Sequence, residues 1–328
     1  MKKNILVVGC GHWGKNLVRN FAELGSLFAV CDPNVQLAND FSQKYNVLNL
    51  SFEEALMDKN IEGVVLAIPA PLHASFAIAS MEAGKHTYVE KPLAMNKTEA
   101  EQMIISSTKS NVHLMVGHLL QYHPVFIRLK ELVSSGELGK LQYAYSNRLS
   151  FGKVRSEEDV LWSFAPHDIS MILALTNQNI ISVKTESKSI IQDQIADNSI
   201  IHLDFDSGFK AHIHTSWIHP YKEQKLVVIG EKGSIVFDDT RVWEKKLGFY
   251  PHSIGRSSHS PNINQLEQTY IDVKESEPLR NECSHFIDVV NNNSAPLTSG
   301  DEGLKVLNVL SAASASELSN EIFNMNDL

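Results

Sequence analysis

The chain has 328 residues, 43% hydrophobic and 20% charged, which is room for two globular domains of ordinary composition. Asp and Glu number 38 against 29 Lys and Arg, a net charge of −9, which excludes the basic footprint of a general nucleic-acid or membrane-surface binder. No run reaches the ~20 apolar residues of a spanning helix. Ile5–Val8 behind Lys2 and Lys3 is too short for a signal peptide, so the expected location is the cytoplasm, with no membrane or nucleic-acid partner. The cysteines Cys10, Cys31 and Cys283 are widely spaced, read as small core hydrophobes, and cannot build a zinc site.

In chain order, the first third alternates strand and helix signals. Ile5–Val8 is a short β-rich run. Leu17, Val18, Phe21 and Leu24 share one face of a helix over Lys15–Leu24. Strand Leu27–Cys31, helices over Gln36–Lys44 and from Glu53 to Met57, and the continuous apolar strand Val64–Ile68 follow. Helix His73–Ala83, strand His86–Val89, helix Lys97–Ser107 and strand His113–Val116 complete the alternation. That order predicts a Rossmann-type, doubly wound parallel sheet over residues 1–120. The pattern changes after Gly117. Pro124–Ser134 predicts a helix, Leu141–Phe151 an alternating strand and His167–Leu175 a helix. Ile180–Phe237 is almost all strand-like, with turns at Asp206-Ser207-Gly208 and Gly230-Glu231-Lys232-Gly233. Polar Gly248–Gln268 reads as a long loop, and Glu282–Val290 and Leu304–Leu318 as closing helices. Residues 121–328 are expected to form an α+β domain for substrate binding and oligomerisation, with a large open, mainly antiparallel sheet.

Gly9-Cys10-Gly11-His12-Trp13-Gly14 is a G-x-G-x-x-G that follows a buried strand and opens a helix. In that context the first glycine allows a tight turn and the second lets the backbone approach a pyrophosphate. The third packs helix on strand, leaving helix N-terminal amides for the phosphates. Asp32 ends the second strand, where a carboxylate accepts hydrogen bonds from the adenosine ribose. A carboxylate there repels a 2′-phosphate, so the expected cofactor is NAD rather than NADP.

Glu90-Lys91-Pro92 lies just past the carboxyl end of a strand, the edge at which doubly wound sheets bind ligands. Pro92 restricts Lys91 to an extended conformation. Near a positive nicotinamide ring, a lysine could have a lowered pKa and act on a hydroxyl proton. On position alone, a solvated turn lysine accounts for Lys91 equally well.

With these pieces in hand, the chain resembles the glucose–fructose oxidoreductase / inositol dehydrogenase family (Gfo/Idh/MocA) over essentially its whole length. The resemblance rests on Gly9–Gly14, Asp32-Pro33, Ile68-Pro69 to His73 and Glu90-Lys91-Pro92. Gly136-Glu-Leu-Gly139, Gly230-Glu-Lys-Gly233 and Gly300-Asp-Glu-Gly303-Leu-Lys-Val306 extend it. It implies an oxidoreductase acting on CH–OH groups of polyols, sugars or sugar nucleotides. It also implies cofactor contacts from His12, Trp13, Pro69, His73, Glu90 and Lys91, and an oligomer, homodimer or homotetramer, built on the second sheet.

Trp162 to Asp168 reads as the opening of a helix, and His167 matches a histidine that many family members carry. Ser163 stands where those members have an acid four residues earlier, so the carboxylate–histidine pair is absent. Lys91 and His167 are then expected to share the proton work, with Asp168 orienting the imidazole. Without the resemblance, a histidine capping its own helix end is an equal reading. His118, Tyr122 and His123 follow the last strand of the first sheet and are expected in the same cleft, His118 and Tyr122 touching substrate. No carboxylate or cysteine completes a metal set with these histidines, so no metal is expected. His212 and His214, two apart on a strand, read as sheet-interface residues.

Asn147-Arg148 through Arg155, with Trp162 to Asp168, is similar to members that oxidise the 3-hydroxyl of UDP-N-acetylglucosamine or its uronate in nucleotide-sugar biosynthesis. Arg148, Lys153 and Arg155 could supply charge for a diphosphate, although ordinary solvated charge is the plainer reading of any one of them. Trp162 and Asp168 complete the expected substrate set. The alternatives are a free-polyol or inositol dehydrogenase, and a nucleotide-binding sensor without turnover.

Overall fold

Runs of apolar, β-branched residues without alternation form the first sheet. Its strands are β1 (Ile5–Val8), β2 (Leu27–Cys31), β3 (Leu48–Asn49), β4 (Gly63–Leu66), β5 (His86–Glu90) and β6 (Leu114–Gly117). Every residue of β1, β4 and β6 is buried, as strands covered on both faces must be. The order is β3-β2-β1-β4-β5-β6, with every pair parallel. The strand order reverses between β1 and β4, the switch point that opens a ligand crevice at the strands' carboxyl ends. The intervening helices are α1 (Gly14–Glu23), α2 (Val35–Tyr45), α3 (Phe52–Met57), α4 (His73–Glu82) and α5 (Lys97–Lys109). Asn34, Ser51 and Asn96 cap three of them by accepting an amide three residues on.

The second sheet is built around β7 (Leu141–Phe151). Before it runs α6 (Pro124–Ser134), and after it α7 (Val160–Thr176). Strands β8 (Ile180–Lys188), β9 (Asn198–Phe205), β10 (Lys210–Ser216), β11 (Ile218–Gly230) and β12 (Gly233–Asp238) follow. Then come β13 (Leu247–Arg256), β14 (Pro261–Gln265) and β15 (Thr269–Tyr270). The chain ends with α8 (Pro278–Asn292), α9 (Gly300–Ser319) and β16 (Phe323–Asn324). Among the described residues the sheet has 10 strands, and of their pairings only that of β7 with β10 is parallel. In the computed structural model, residues 2–152, 154–256 and 261–328 are described. Among these, no helix is long and apolar enough to cross a membrane.

Three features differ from the sequence reading. The stretch over Gly248–Gln268 contains β13 and β14 instead of a plain loop, because strands at a sheet edge need no apolar alternation to pair their backbones. α7 begins at Val160, capped by Asp159, and runs through Pro166, so His167 lies inside the helix and not at its start. Finally, the chain divides into two compact units between Tyr122 and His123, close to the expected boundary at 120, but the C-terminal part is shared between them. Glu277–Leu307 returns to the unit of Met1–Tyr122, and Asn308–Leu328 belongs with His123–Ser276. The reason is hydrophobic: Cys283, Phe286, Ile287, Val289 and Val290 of α8 join Ile5, Val7, Phe21 and Tyr88 in one core cluster.

Candidate active site

The glycine loop between β1 and α1 is fixed by close approach. Gly9 has φ +91, and a Cβ there would lie 2.3 Å from the Ala67 carbonyl oxygen. A Cβ on Gly14 would lie 1.9 Å from the Gly9 oxygen. Gly11 differs, since a Cβ there would meet nothing within 4 Å. The space over its backbone is therefore open, and a side chain would fill it. Asp32, at the end of β2, accepts from the Cys10 amide at 2.6 Å and from the Asn34 amide at 2.8 Å, one on each carboxylate oxygen. The carboxylate is thus locked beside the loop. These residues fit a dinucleotide: an open glycine cradle for the pyrophosphate and an anchored acceptor for the ribose. Burial pushes the Cys10 thiol up to about 12 and Cys31 to about 11, so both stay protonated near neutrality.

Glu90 ties this loop to Lys91. Its Oε1 accepts from Trp13 Nε1 at 2.6 Å and from the Tyr88 hydroxyl at 3.0 Å, and its Oε2 from the Lys91 amide at 3.3 Å. Burial raises its carboxyl above the usual range, while the Trp13 and Tyr88 hydrogen bonds and the Lys91 charge pull it back. Lys91 follows β5, is half-buried, and precedes Pro92 through a cis peptide. His12, exposed, sits in the same loop, and Pro69 leads the turn after β4.

His73 takes a different role from the expected cofactor contact. It is 1% exposed, with Nδ1 2.8 Å from the Pro92 oxygen and Nε2 3.0 Å from the Ile68 oxygen. Burial holds its imidazole below the usual histidine range. It clasps the Glu90-Lys91-Pro92 turn to the end of β4. Tyr122 is also corrected: it is buried in the core, its hydroxyl paired with Thr298 Oγ1 at 3.0 Å, so it offers no surface to a substrate. His118 is 2% exposed rather than open to a substrate, and its Nδ1 lies 2.5 Å from Glu302 Oε2.

In the second unit, α7 carries Trp162, Ser163, His167 and Asp168. His167 is half-buried and Ser163 is buried. Asp168 does not orient His167. It is fully buried, accepting from Arg148 Nε at 2.6 Å, from Arg148 Nη2 at 3.2 Å and from Ser146 Oγ at 2.5 Å. That pairing also takes Arg148 away from the expected diphosphate: its guanidinium neutralises a buried carboxylate inside the unit. Arg155 is exposed and pairs with Glu158 one turn on. Trp162 Nε1 donates to Ser314 Oγ at 2.9 Å. His123 sits against Asp239 at 3.4 Å and stacks on Trp243, a core arrangement. Lys153 lies outside the described residues. Tyr88 and Glu302 are functional neighbours that the sequence did not mark: Tyr88 enters through Glu90 on its own strand, and Glu302 only through His118, distant in the chain.

The parallel sheet, its switch-point loop and the fixed carboxylate of Asp32 are those of an NAD-dependent oxidoreductase, and its cofactor is NAD. The chain belongs to the Gfo/Idh/MocA family. The profile of that oxidoreductase family, with NAD-binding Rossmann fold, matches residues 3–118, and the profile of the GFO/IDH/MocA C-terminal domain matches residues 126–236. The chain is 23% identical to UDP-N-acetylglucosamine 3-dehydrogenase from Acidithiobacillus ferrooxidans, over 92% of this chain and 93% of that one. The solved structure of that enzyme superposes with TM-score 0.85, covering 96% of this chain and 97% of its own. Myo-inositol 2-dehydrogenase from Thermotoga maritima is also 23% identical, over 92% of each chain. The WlbA dehydrogenase from Bordetella pertussis, solved with NADH and UDP-GlcNAcA, superposes with TM-score 0.81 at 20% identity over 99% of both chains.

Proposed function

We propose that the chain oxidises a secondary hydroxyl of a sugar derivative, and that Lys91 takes the hydroxyl proton. Bound NAD supplies the hydride acceptor. The observation that carries this reading is the link from the glycine loop through Trp13 and Glu90 to Lys91, all on the carboxyl edge of one parallel sheet. Neutral Lys91 Nζ accepts the proton as the C–H bond gives up its hydride, and the neighbouring Glu90 carboxylate stabilises the ammonium that results. Glu90 also fixes the Lys91 amide, so the turn that presents the amine does not drift. His167 is the second acid–base group of this reading, acting without a carboxylate on the preceding turn of α7. Asp32 favours NAD over NADP by refusing a 2′-phosphate.

The substrate we infer is a UDP-N-acetylhexosamine or its uronate, oxidised at the 3-hydroxyl. Its support is the activity of the Acidithiobacillus ferrooxidans relative and the ligand of the Bordetella pertussis structure. One observation favours a second reading, a free polyol: the Arg148 guanidinium, expected to meet a diphosphate, is engaged with Asp168. The test is incubation with NAD and a panel of UDP-sugars, inositols and free sugars, with NADH absorbance as the readout. Turnover on a UDP-N-acetylhexosamine is the expected result. Turnover on inositols alone would replace the first reading with the second, and no turnover on any sugar would end both.

A further inference from the structure

Residues 91–96, between β5 and α5, belong to neither a strand nor a helix, so the Pro92 carbonyl sits outside any ladder of backbone amides. A side chain from another element meets it. His73, the first residue of α4, is 1% exposed, with Nδ1 2.8 Å from the Pro92 oxygen. On the other side of the ring, Nε2 lies 3.0 Å from the Ile68 oxygen, just past the end of β4. That segment abuts the glycine loop. The Ala67 amide donates to the Val8 oxygen at 2.8 Å, and a Cβ on Gly9 would lie 2.3 Å from the Ala67 oxygen and 3.2 Å from Ile68 Cγ2. One imidazole thus spans from the wall of the glycine loop to the turn that carries Lys91.

Both ring nitrogens face carbonyl oxygens, which only accept. A neutral imidazole has one N–H and satisfies one of them, while an imidazolium satisfies both. Burial disfavours the charged ring and outweighs the pull of the Pro92, Ile68 and Leu93 backbone groups, and the Lys91 charge sides with burial. The positive amino end of α4 acts in the same direction. At neutral pH the ring therefore holds a single N–H, for which two carbonyls compete, and the shorter contact is the one at Pro92.

We propose that His73 is a positioning residue for the reaction, donating Nδ1–H to the Pro92 carbonyl and so setting where the Lys91 turn stands against the glycine loop. The inference rests on Lys91 being the proton acceptor. His73 acts through the backbone of the turn and moves no proton itself. A reacting group displaced by about 1 Å costs on the order of a hundredfold in rate, so a Pro92 carbonyl left without its donor is felt in turnover.

The two amide side chains separate the two contacts. Asparagine places an amide nitrogen where Nδ1 stood, and glutamine places one where Nε2 stood. His73→Asn therefore keeps a donor to Pro92, and His73→Gln keeps a donor to Ile68 alone. His73→Gln should lower kcat by roughly tenfold to a hundredfold with KM near the wild-type value, and His73→Asn should retain most of the wild-type kcat. Equal kcat in the two variants, whether lost or kept, overturns the proposal, because a histidine that only fills the core costs melting temperature in both alike. Two further readouts need no substrate. Nitrogen-15 NMR of the histidine-labelled full chain at neutral pH, with the His73 signal identified by its absence from His73→Asn, should show the ring proton on Nδ1. A proton on Nε2 overturns the proposal. Hydrogen exchange at the amides of residues 91 and 93–95 should be about tenfold faster in His73→Gln and close to wild type in His73→Asn. Unchanged exchange in His73→Gln also overturns it. If the wild type oxidises no sugar, the proposed function fails, while the ring spectrum and the exchange rates still decide whether His73 holds the turn.

Discussion

Glu282 shows how much a single residue can hide from a sequence reading. It lies on the apolar stripe of α8 and is 0% exposed, with neither carboxyl oxygen in a hydrogen bond of normal geometry among the described residues. Burial pushes its carboxyl well above the usual range, the Glu90 carboxylate adds to the rise, and the Tyr88 hydroxyl pulls weakly the other way. A carboxyl whose folded-state pKa exceeds its unfolded value binds its proton more tightly when folded. The stability it contributes is complete below the unfolded pKa, near about 4.3, and is lost as pH rises through the folded value. Melting temperature should therefore fall more steeply with rising pH in the wild type than in Glu282→Gln, which cannot ionise. Parallel curves for the two proteins, recorded by calorimetry across neutral and alkaline pH, would contradict this. Asp32 and Lys91 were legible from sequence because each is defined by its place after a strand. His118 with Glu302, 184 residues apart, and Arg148 with Asp168 are defined only by tertiary contact, so their pairing was not.

The glycine loop is the element on which cofactor binding turns, and its glycines separate fold from function. A Cβ on Gly14 would sit inside the Gly9 carbonyl, so Gly14→Ala must shift backbone. A Cβ on Gly11 would project into open space, so Gly11→Ala should leave the fold intact and occupy the pyrophosphate's place. The expected outcome is a normal melting temperature with NAD affinity reduced by roughly tenfold or more for Gly11→Ala, and a lowered melting temperature for Gly14→Ala. Isothermal titration with NAD beside a thermal scan checks both. A Gly11→Ala protein that binds NAD normally would mean that the pyrophosphate lies elsewhere. Most elements were readable from periodicity, because buried parallel strands and amphipathic helices carry distinct patterns. Two were not. Pro166 inside α7 masked the first turns of a helix that Asp159 caps, since a proline ordinarily marks a helix start or end. β14 is the edge strand and β13 lies next to it, and pairing there rests on backbone hydrogen bonds more than on an apolar face.

At the scale of the molecule, the two-sheet architecture followed from sequence, but the return of the chain through α8 did not. Nothing in the α8 sequence says which core its apolar stripe will join. The second sheet also bears on assembly. On β7, Ala144 and Ser146 are buried, while Tyr143 and Tyr145 of the other register stay half-exposed. Tyr143 bonds His212 at 2.7 Å, and Tyr145 stacks on the same ring at 5.3 Å. An aromatic, half-exposed sheet face of this kind is expected to be covered by a second copy of the chain. Light scattering at micromolar concentration should report a dimer or tetramer, and a stable monomer would contradict it.

The claim on which the rest depends is that Lys91 accepts the hydroxyl proton during NAD-dependent oxidation of a sugar. The most direct test is the initial rate of NADH formation by wild type and Lys91→Met on the same UDP-sugar, beside NAD affinity and melting temperature. Removing a positioned acid–base group typically costs ~100- to 10,000-fold in rate. Lys91→Met should lose turnover by that order, with NAD affinity and melting temperature little changed. A Lys91→Met protein that reduces NAD at close to the wild-type rate would contradict it.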